Sequence, residues 1–128
     1  MKKLGDSEII VQRVVLGAWA MGGWYWGGTD DNAAISSIHA SLDEGISGID
    51  TAPIYGCGHS EEVVGRAIRD RRERVILMTK VGLRWDCEDG AFFFEMSEEE
   101  GGYQVYRNLR PNSIRQEVEN SLKRLQTE

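Results

Sequence analysis

The chain has 128 residues, of which 41% are hydrophobic and 28% charged, so its composition is that of a folded globular domain and not of a disordered segment. Asp and Glu total 21 against 15 Lys and Arg, and the resulting net charge of -6 disfavours a nucleic-acid-binding surface. No apolar run approaches the roughly 20 residues of a membrane span, and neither the two cysteines nor the two histidines have metal-ligand spacing, so we expect a cytoplasmic protein with no metal, nucleic-acid or membrane partner.

The first part of the chain alternates short apolar runs with turn-rich segments. Residues 3–11 predict a short β-hairpin. Residues 14–16 predict a buried strand that ends at Gly17, and a loop rich in Gly and Trp follows it. The polar cluster at 29–31 is typical of a helix N-cap, and the helical pattern behind it ends at Gly45.

A second and a third apolar run follow with the same strand–helix alternation. Residues 46–49 predict a strand with Asp50 at its carboxyl end, and Ser60 is the expected N-cap of the next helix. Residues 75–79 form a continuous apolar run that ends at Lys80. Such runs are typical of parallel strands covered on both faces.

The last part of the chain is less regular. Residues 82–109 have no clean periodicity and predict a long loop, which is usually functional or mobile in a compact domain. Residues 113–116 resemble a capping box. Behind it, apolar residues at helical spacing predict a final helix with the stripe Ile114, Val118, Leu122 and Leu125.

The order of the elements predicts an α/β fold with a parallel sheet and right-handed crossovers. Successive strand ends at Gly17, Asp50 and Lys80 are separated by 33 and 30 residues. Eight units of that size amount to the roughly 250 residues of a (β/α)8 barrel. Three units alone make an open sheet with two bare edges.

Three residues with useful chemistry follow from this arrangement. In parallel α/β folds the carboxyl ends of the strands form the working face. Asp50 and Lys80 end consecutive strands there, and Tyr55 lies in the loop that leaves the same strand end as Asp50. A nearby ammonium favours the phenolate over the phenol, so Lys80, held by Asp50, would make Tyr55 a usable general acid. Such an acid suits the reduction of a carbonyl group.

Each of the three residues also fits a purely structural role. An Asp–Lys pair at strand ends is often only an ion pair, and a Tyr before a Gly often only packs. The convergence of all three on one edge of the sheet is what favours catalysis.

Four segments in order resemble those of the aldo-keto reductases: 16–19, 45–65, 78–82 and 114–125. The resemblance covers essentially the whole chain. It implies a TIM barrel that uses NADPH or NADH to reduce small aldehydes or ketones to alcohols. Residues 1–128 would then be the amino-terminal part of such a barrel, about three βα units preceded by a hairpin and ending before the fourth strand.

The resemblance also implies residue roles. Tyr55 is the proton donor, tuned by Lys80 and Asp50. Asp50, with Gly17, Ala18 and Trp19, lies against the cofactor. The candidate substrate-binding residues are Trp19 and, by analogy, Trp85, with residues 92–94 as further candidate walls of the pocket.

The sequence departs from the family pattern in three respects. The catalytic His of the fourth strand and most cofactor-binding segments have no counterpart here, so we expect the 128-residue chain alone to be inactive. Gly48 stands where the family has a bulky residue, which predicts weaker packing of the second strand. Two non-enzymatic alternatives stay open: a half-barrel that self-associates, or binds a full-length reductase, through its exposed sheet edges, and a regulatory subunit that binds cofactor without turnover.

Overall fold

The computed structural model describes residues 1–128 and contains the predicted alternation of strands and helices. Lys2–Lys3 (β1) pairs in antiparallel fashion with Ile10–Val11 (β2), which confirms the hairpin. The next elements are, in order, Leu16–Gly17 (β3), Asp31–Asp43 (α1), Gly48–Asp50 (β4), His59–Ile68 (α2) and Ile76–Met78 (β5). Strands β3, β4 and β5 form a parallel sheet in that order, so the chain has the predicted α/β fold.

The main core lies between this sheet and the helices. Ile49, at the centre of β4, is opposite Leu16 on one side and Leu77 on the other, and all three pack with the apolar faces of the helices. The buried members contributed by the helices are Ile38, Leu42, Val64, Ala67, Ile68 and Leu125. No helix is both long and apolar enough to cross a bilayer.

Gly48 does not leave the second strand loosely packed. It is buried, and an ideal Cβ at this position would lie 3.0 Å from the Val15 side chain. Val15 therefore fills the space that a larger residue at position 48 would take. The predicted weakness of β4 is not found.

The prediction of one long loop over 82–109 is wrong, because this segment contains a small antiparallel sheet. Its strands are Leu83–Arg84 (β6), Ala91–Glu95 (β7) and Gln104–Arg107 (β8), in the order β6-β8-β7. A bulge between Phe92 and Phe94 breaks the two-residue alternation of β7, and two of the three strands are four residues or shorter. A period-two pattern is therefore hard to detect in this sequence.

The last helix, Pro111–Leu125 (α3), begins two residues before the predicted capping box. Ser113 lies inside its first turn and is buried, so it is not the N-cap. The buried side of α3 consists of Ser113, Glu117, Ser121 and Leu125, whereas Val118 is 44% exposed. The apolar stripe predicted for this helix is thus buried only at Leu125, because the inner face carries hydrogen-bonded polar groups.

Candidate active site

The carboxyl ends of the three parallel strands lie side by side, as predicted. Gly17 is opposite Asp50 in the β3–β4 pair, and Asp50 is opposite Met78 in the β4–β5 pair. Lys80 follows β5 by two residues and therefore lies at the same edge of the sheet. The ladder continues past β4, since the Thr51 amide donates to the Met78 carbonyl at 2.9 Å.

The structure brings the three predicted catalytic residues together. Lys80 Nζ donates to Asp50 Oδ1 at 2.6 Å and to the Thr51 carbonyl at 2.8 Å. The same ammonium lies 4.9 Å from the centroid of the Tyr55 ring, within the range of a cation–π contact. The side chains of Lys80 and Asp50 are 47% and 39% exposed, so this group of charges faces open solvent.

The surroundings of Lys80 favour its charged form. Partial burial acts to lower the pKa of Lys80, but the Asp50 carboxylate and the Tyr55 side chain act in the opposite direction. The net effect is a pKa above the ordinary value of lysine. Lys80 is therefore a permanent cation at neutral pH, placed where it can stabilise negative charge on a phenolate.

A stacked pair of aromatic rings flanks the ammonium. Trp19 stacks on Tyr55 with ring centroids 5.8 Å apart and an interplanar angle of 23°. Trp26 contacts Trp19 edge-on at 6.1 Å. Both tryptophans are exposed, so Tyr55 lies at the inner end of an open aromatic surface.

A close approach of two glycine backbones sets the loop that carries Tyr55. An ideal Cβ on Gly56 would lie 2.1 Å from the Gly22 carbonyl oxygen, and one on Gly22 would lie 2.6 Å from the Tyr55 carbonyl. Gly56 also has φ +63°, in the left-handed region. Any side chain at either position would push the Trp19 and Tyr55 loops apart.

The predicted cofactor-contacting segment fits a flat ligand above the strand ends. Gly17 has open space where a Cβ would stand, and Trp19 presents an exposed ring. Ala18 is fully buried and its amide donates to the Asp50 carbonyl at 2.8 Å, which fixes this segment beside Asp50. Gly17 and Trp19 could therefore hold the nicotinamide end of a dinucleotide, whereas the fully buried Ala18 has no surface open to a ligand, so its predicted cofactor contact is wrong.

The predicted walls of the substrate pocket, Trp85 and residues 92–94, do not all lie against the same cluster as Tyr55. Trp85 and Tyr55 each pack against a second, smaller core cluster, and the Trp85 ring lies 5.7 Å from the Arg124 guanidinium. Phe94 stacks on Trp24 at 5.7 Å, whereas Phe92 and Phe93 are exposed. Trp85 and Phe94 thus border the same cluster as the Tyr55 ring.

Sequence reasoning missed two buried residues beneath the site. Ser60 is not the N-cap of α2, a position that Gly58 takes. Instead its hydroxyl donates to the Ala18 carbonyl at 2.7 Å and shares a 2.9 Å hydrogen bond with the Thr51 hydroxyl, joining two strand ends. Glu61 is fully buried. Its position three and seven residues before Val64 and Ile68 places it in the apolar stripe of α2, and this was the available signal.

Cys57, two residues after Tyr55, is a poor nucleophile. Burial raises the pKa of its thiol to about 11. Its Sγ lies 3.7 Å from the Met96 sulfur. The thiol therefore behaves as a packing group beside the Tyr55 loop.

Comparisons with known proteins agree with this geometry. A sequence model of the Aldo/keto reductase family matches residues 13–128. The chain is 46% identical to aldo-keto reductase YhdN of Bacillus subtilis over 98% of its own length and 34% of that protein. It is 43% identical to the NADH-specific methylglyoxal reductase of Escherichia coli, over 98% of the chain and 38% of the relative.

A solved structure shows the same relation in three dimensions. The glycerol dehydrogenase AKR11B4 of Gluconobacter oxydans superposes with a TM-score of 0.78 and 48% sequence identity, over 98% of this chain and 36% of that one. The chain thus spans little more than a third of the length of these relatives and has the fold of a partial barrel. It belongs to the aldo/keto reductase family.

Proposed function

We propose that Tyr55, Lys80 and Asp50 carry out the proton-transfer half of an NAD(P)H-dependent reduction of a small aldehyde or ketone. The observation that supports this most strongly is the Lys80 ammonium between the Asp50 carboxylate and the Tyr55 ring. When bound, the reduced nicotinamide supplies a hydride to the carbonyl carbon. The chain's own residues must then neutralise the negative charge that develops on the carbonyl oxygen.

Tyr55 neutralises that charge by donating its hydroxyl proton to the carbonyl oxygen, which yields the alcohol. The phenolate left on Tyr55 is stabilised by the Lys80 ammonium and regains a proton from water. Asp50 accepts a hydrogen bond from Lys80 and so orients it. Because the groups are in place beforehand, little reorganisation is needed at the moment of reaction.

Binding would use the residues around this trio. Gly17, Trp19 and Asp50 contact the cofactor, either NADPH or NADH, and the buried Ala18 holds their backbone in place. One relative is named as NADH-specific. The exposed ring of Trp19 and the partly buried Trp85 line the substrate side. A cytoplasmic location and a small-molecule carbonyl substrate are part of the same proposal.

A chimaera tests the proposal directly. Residues 1–128 replace the aligned segment of the Escherichia coli methylglyoxal reductase, and cofactor oxidation is followed with methylglyoxal and either NADH or NADPH. We expect turnover, and a loss of about 100-fold or more in kcat on Lys80→Met, with Lys123→Met as the matched control. A folded chimaera that is inactive with both cofactors would contradict the proposal.

Self-association is a second candidate function, favoured by one observation. The sheet order β3-β4-β5 leaves the outer edges of β3 and β5 without a partner strand. Unpaired edges are templates for pairing with another chain. Light scattering on the purified chain should then show a defined dimer, and a monomer at all concentrations would count against this candidate.

A further inference from the structure

Two buried carboxylates lie close to the segment that carries Lys80, and the proposed proton transfer uses neither. Glu61 on α2 is fully buried, and Glu117 on α3 is 4% exposed. A buried carboxylate has a large desolvation cost unless it is paired and hydrogen-bonded, and apolar residues of similar volume could fill the same space. The contacts of these two residues show what they hold in place.

Glu61 is anchored on one side of Lys80. The hydroxyl of Thr79, the residue directly before Lys80, donates to Glu61 Oε1 at 2.7 Å. The other oxygen, Oε2, accepts a 2.6 Å hydrogen bond from Arg124 Nε on α3. The Arg124 side chain is itself mostly buried, so Glu61 is a fixed point to which Thr79 is attached.

Glu117 is anchored on the other side of Lys80. Its Oε2 accepts a hydrogen bond from the backbone N–H of Gly82 at 2.9 Å. Its Oε1 accepts from the Ser113 hydroxyl at 3.3 Å, and that hydroxyl accepts from Arg84 at 2.8 Å. Arg84 is in turn paired with Asp86. The network therefore ties Gly82 to the first turns of α3.

Lys80 lies between these two anchors. Its side chain is 47% exposed, and an exposed lysine normally has considerable rotamer freedom. Here it keeps its ammonium within hydrogen-bonding distance of Asp50. Because the chain is held at residues 79 and 82, the Lys80 ammonium can reach fewer positions.

We propose that Glu61 and Glu117 are positioning residues that hold the backbone on both sides of Lys80 and thereby keep its ammonium between Asp50 and Tyr55. The proposal rests on the proposed function in one respect, that the placement of this ammonium matters for chemistry. The structural part can be tested without any turnover. Neither glutamate touches the reacting atoms.

The test follows the titration of Lys80 by NMR in the full 128-residue chain. The chain has four lysines, so the side-chain signal of each can be assigned by single replacement. Thr79→Val removes the hydroxyl but keeps the shape, and Thr79→Ser keeps the hydroxyl. The titratable groups that face Lys80, which are Asp50 and Tyr55, stay unchanged in both variants.

We expect the titration midpoint of Lys80 to fall in Thr79→Val towards the ordinary value of lysine, and to stay at its wild-type value in Thr79→Ser. For the second anchor, Glu117→Met removes the acceptor for Gly82 and Glu117→Gln retains it. We expect the titration midpoint of Lys80 to fall in Glu117→Met and to stay at its wild-type value in Glu117→Gln. A purely structural role would lower the melting temperature of these variants without moving the Lys80 midpoint.

The proposal is overturned if Lys80 titrates as in the wild type in Thr79→Val while the amide spectrum remains native. This variant changes one partly exposed side chain, so it decides the question even if Glu117→Met does not fold. Failure of the proposed function is a separate outcome. The midpoint would then follow the anchors as expected, whereas the reductase chimaera would show no turnover.

Discussion

Two ion pairs at the carboxyl end of the sheet have the same length and opposite surroundings. Lys80–Asp50 and Arg124–Glu61 both have a nitrogen–oxygen distance of 2.6 Å. The first pair is 47% and 39% exposed, and the second is 19% and 0% exposed. An exposed pair contributes about 0–1 kcal/mol to stability, while breaking a buried pair costs about 3–5 kcal/mol.

The difference in exposure indicates that the two ion pairs have different roles. The exposed pair faces the space that the proposed function assigns to cofactor and substrate, so its charges remain available to a reacting group. The buried pair joins α2 to α3 and reaches the strand end through Thr79. We therefore expect changes in the exposed Lys80–Asp50 pair to alter the free energy of unfolding only slightly. Changes in the buried Arg124–Glu61 pair should lower it strongly.

Removal of Arg124 should have the largest effect on folding. Arg124→Leu leaves the Glu61 carboxylate buried without its cation, and we expect a loss of about 3–5 kcal/mol in the free energy of unfolding. Urea denaturation measures this. The double variant Glu61→Leu/Arg124→Leu should lose less, because no charge is left unpaired. Equal losses in the two variants would show that packing and not charge determines the effect.

Gly56→Ala should have the next largest effect. The new Cβ would meet the Gly22 carbonyl at 2.1 Å and would sit on a left-handed backbone. We expect a loss of about 2–4 kcal/mol from overpacking and strain together. Gly27→Ala is the matched control, because Gly27 has φ +74° but nothing within 4 Å of an added Cβ, so only strain of about 1–2 kcal/mol remains. Similar losses at both positions would rule out the close approach as the cause.

Lys80→Met should change the stability at neutral pH by less than about 1 kcal/mol. The folded pKa of Lys80 is raised above the unfolded value, so its contribution is fully present below the unfolded pKa and is lost as the pH rises through the folded pKa. The small stability difference between wild type and Lys80→Met should therefore shrink above the ordinary lysine pKa and disappear once the pH exceeds the raised pKa of folded Lys80. A difference that persists there would show that the stabilisation does not depend on the charge.

The smallest expected effect concerns the rate at which the Cys57 thiol is alkylated. With the thiol pKa at about 11, Cys57 carries almost no thiolate at neutral pH. We expect slow alkylation by iodoacetamide in the native chain and much faster alkylation in urea, measured by peptide mass spectrometry. Rapid alkylation of the native protein would place Cys57 among the exposed groups of the site instead of the buried ones.

The exposed Lys80–Asp50 pair could be predicted from the sequence, and the buried Arg124–Glu61 pair could not. Asp50 and Lys80 end two consecutive predicted strands 30 residues apart, and parallel topology then requires them to be neighbours. Glu61 directly follows Ser60, the expected N-cap, and a carboxylate in a first turn is commonly an exposed charge that favours the helix N-terminus. A single sequence does not show whether a carboxylate in an apolar stripe finds a cation such as Arg124, which lies 63 positions away.

The small sheet at 83–107 was missed for a different reason. Its strands are short, and the bulge at Phe93 puts Phe92 and Phe94 out of the regular alternation. The turn between β7 and β8 has a capping box formed by Ser97 and Glu100, which is usually taken as the start of a longer helix. Pairing between distant short strands, and not local periodicity, defines this region.

The most direct test of the central claim is the loss of the Tyr55 hydroxyl in the reductase chimaera. Tyr55→Phe keeps the ring that stacks on Trp19 and removes only the hydroxyl that we propose as the proton donor. Tyr103→Phe, at an exposed tyrosine of the small sheet, is the matched control. The account predicts a fall in kcat of about 100-fold or more for Tyr55→Phe, with an unchanged melting temperature and an unchanged rate for the control. A Tyr55→Phe chimaera that turns over at the wild-type rate would contradict it.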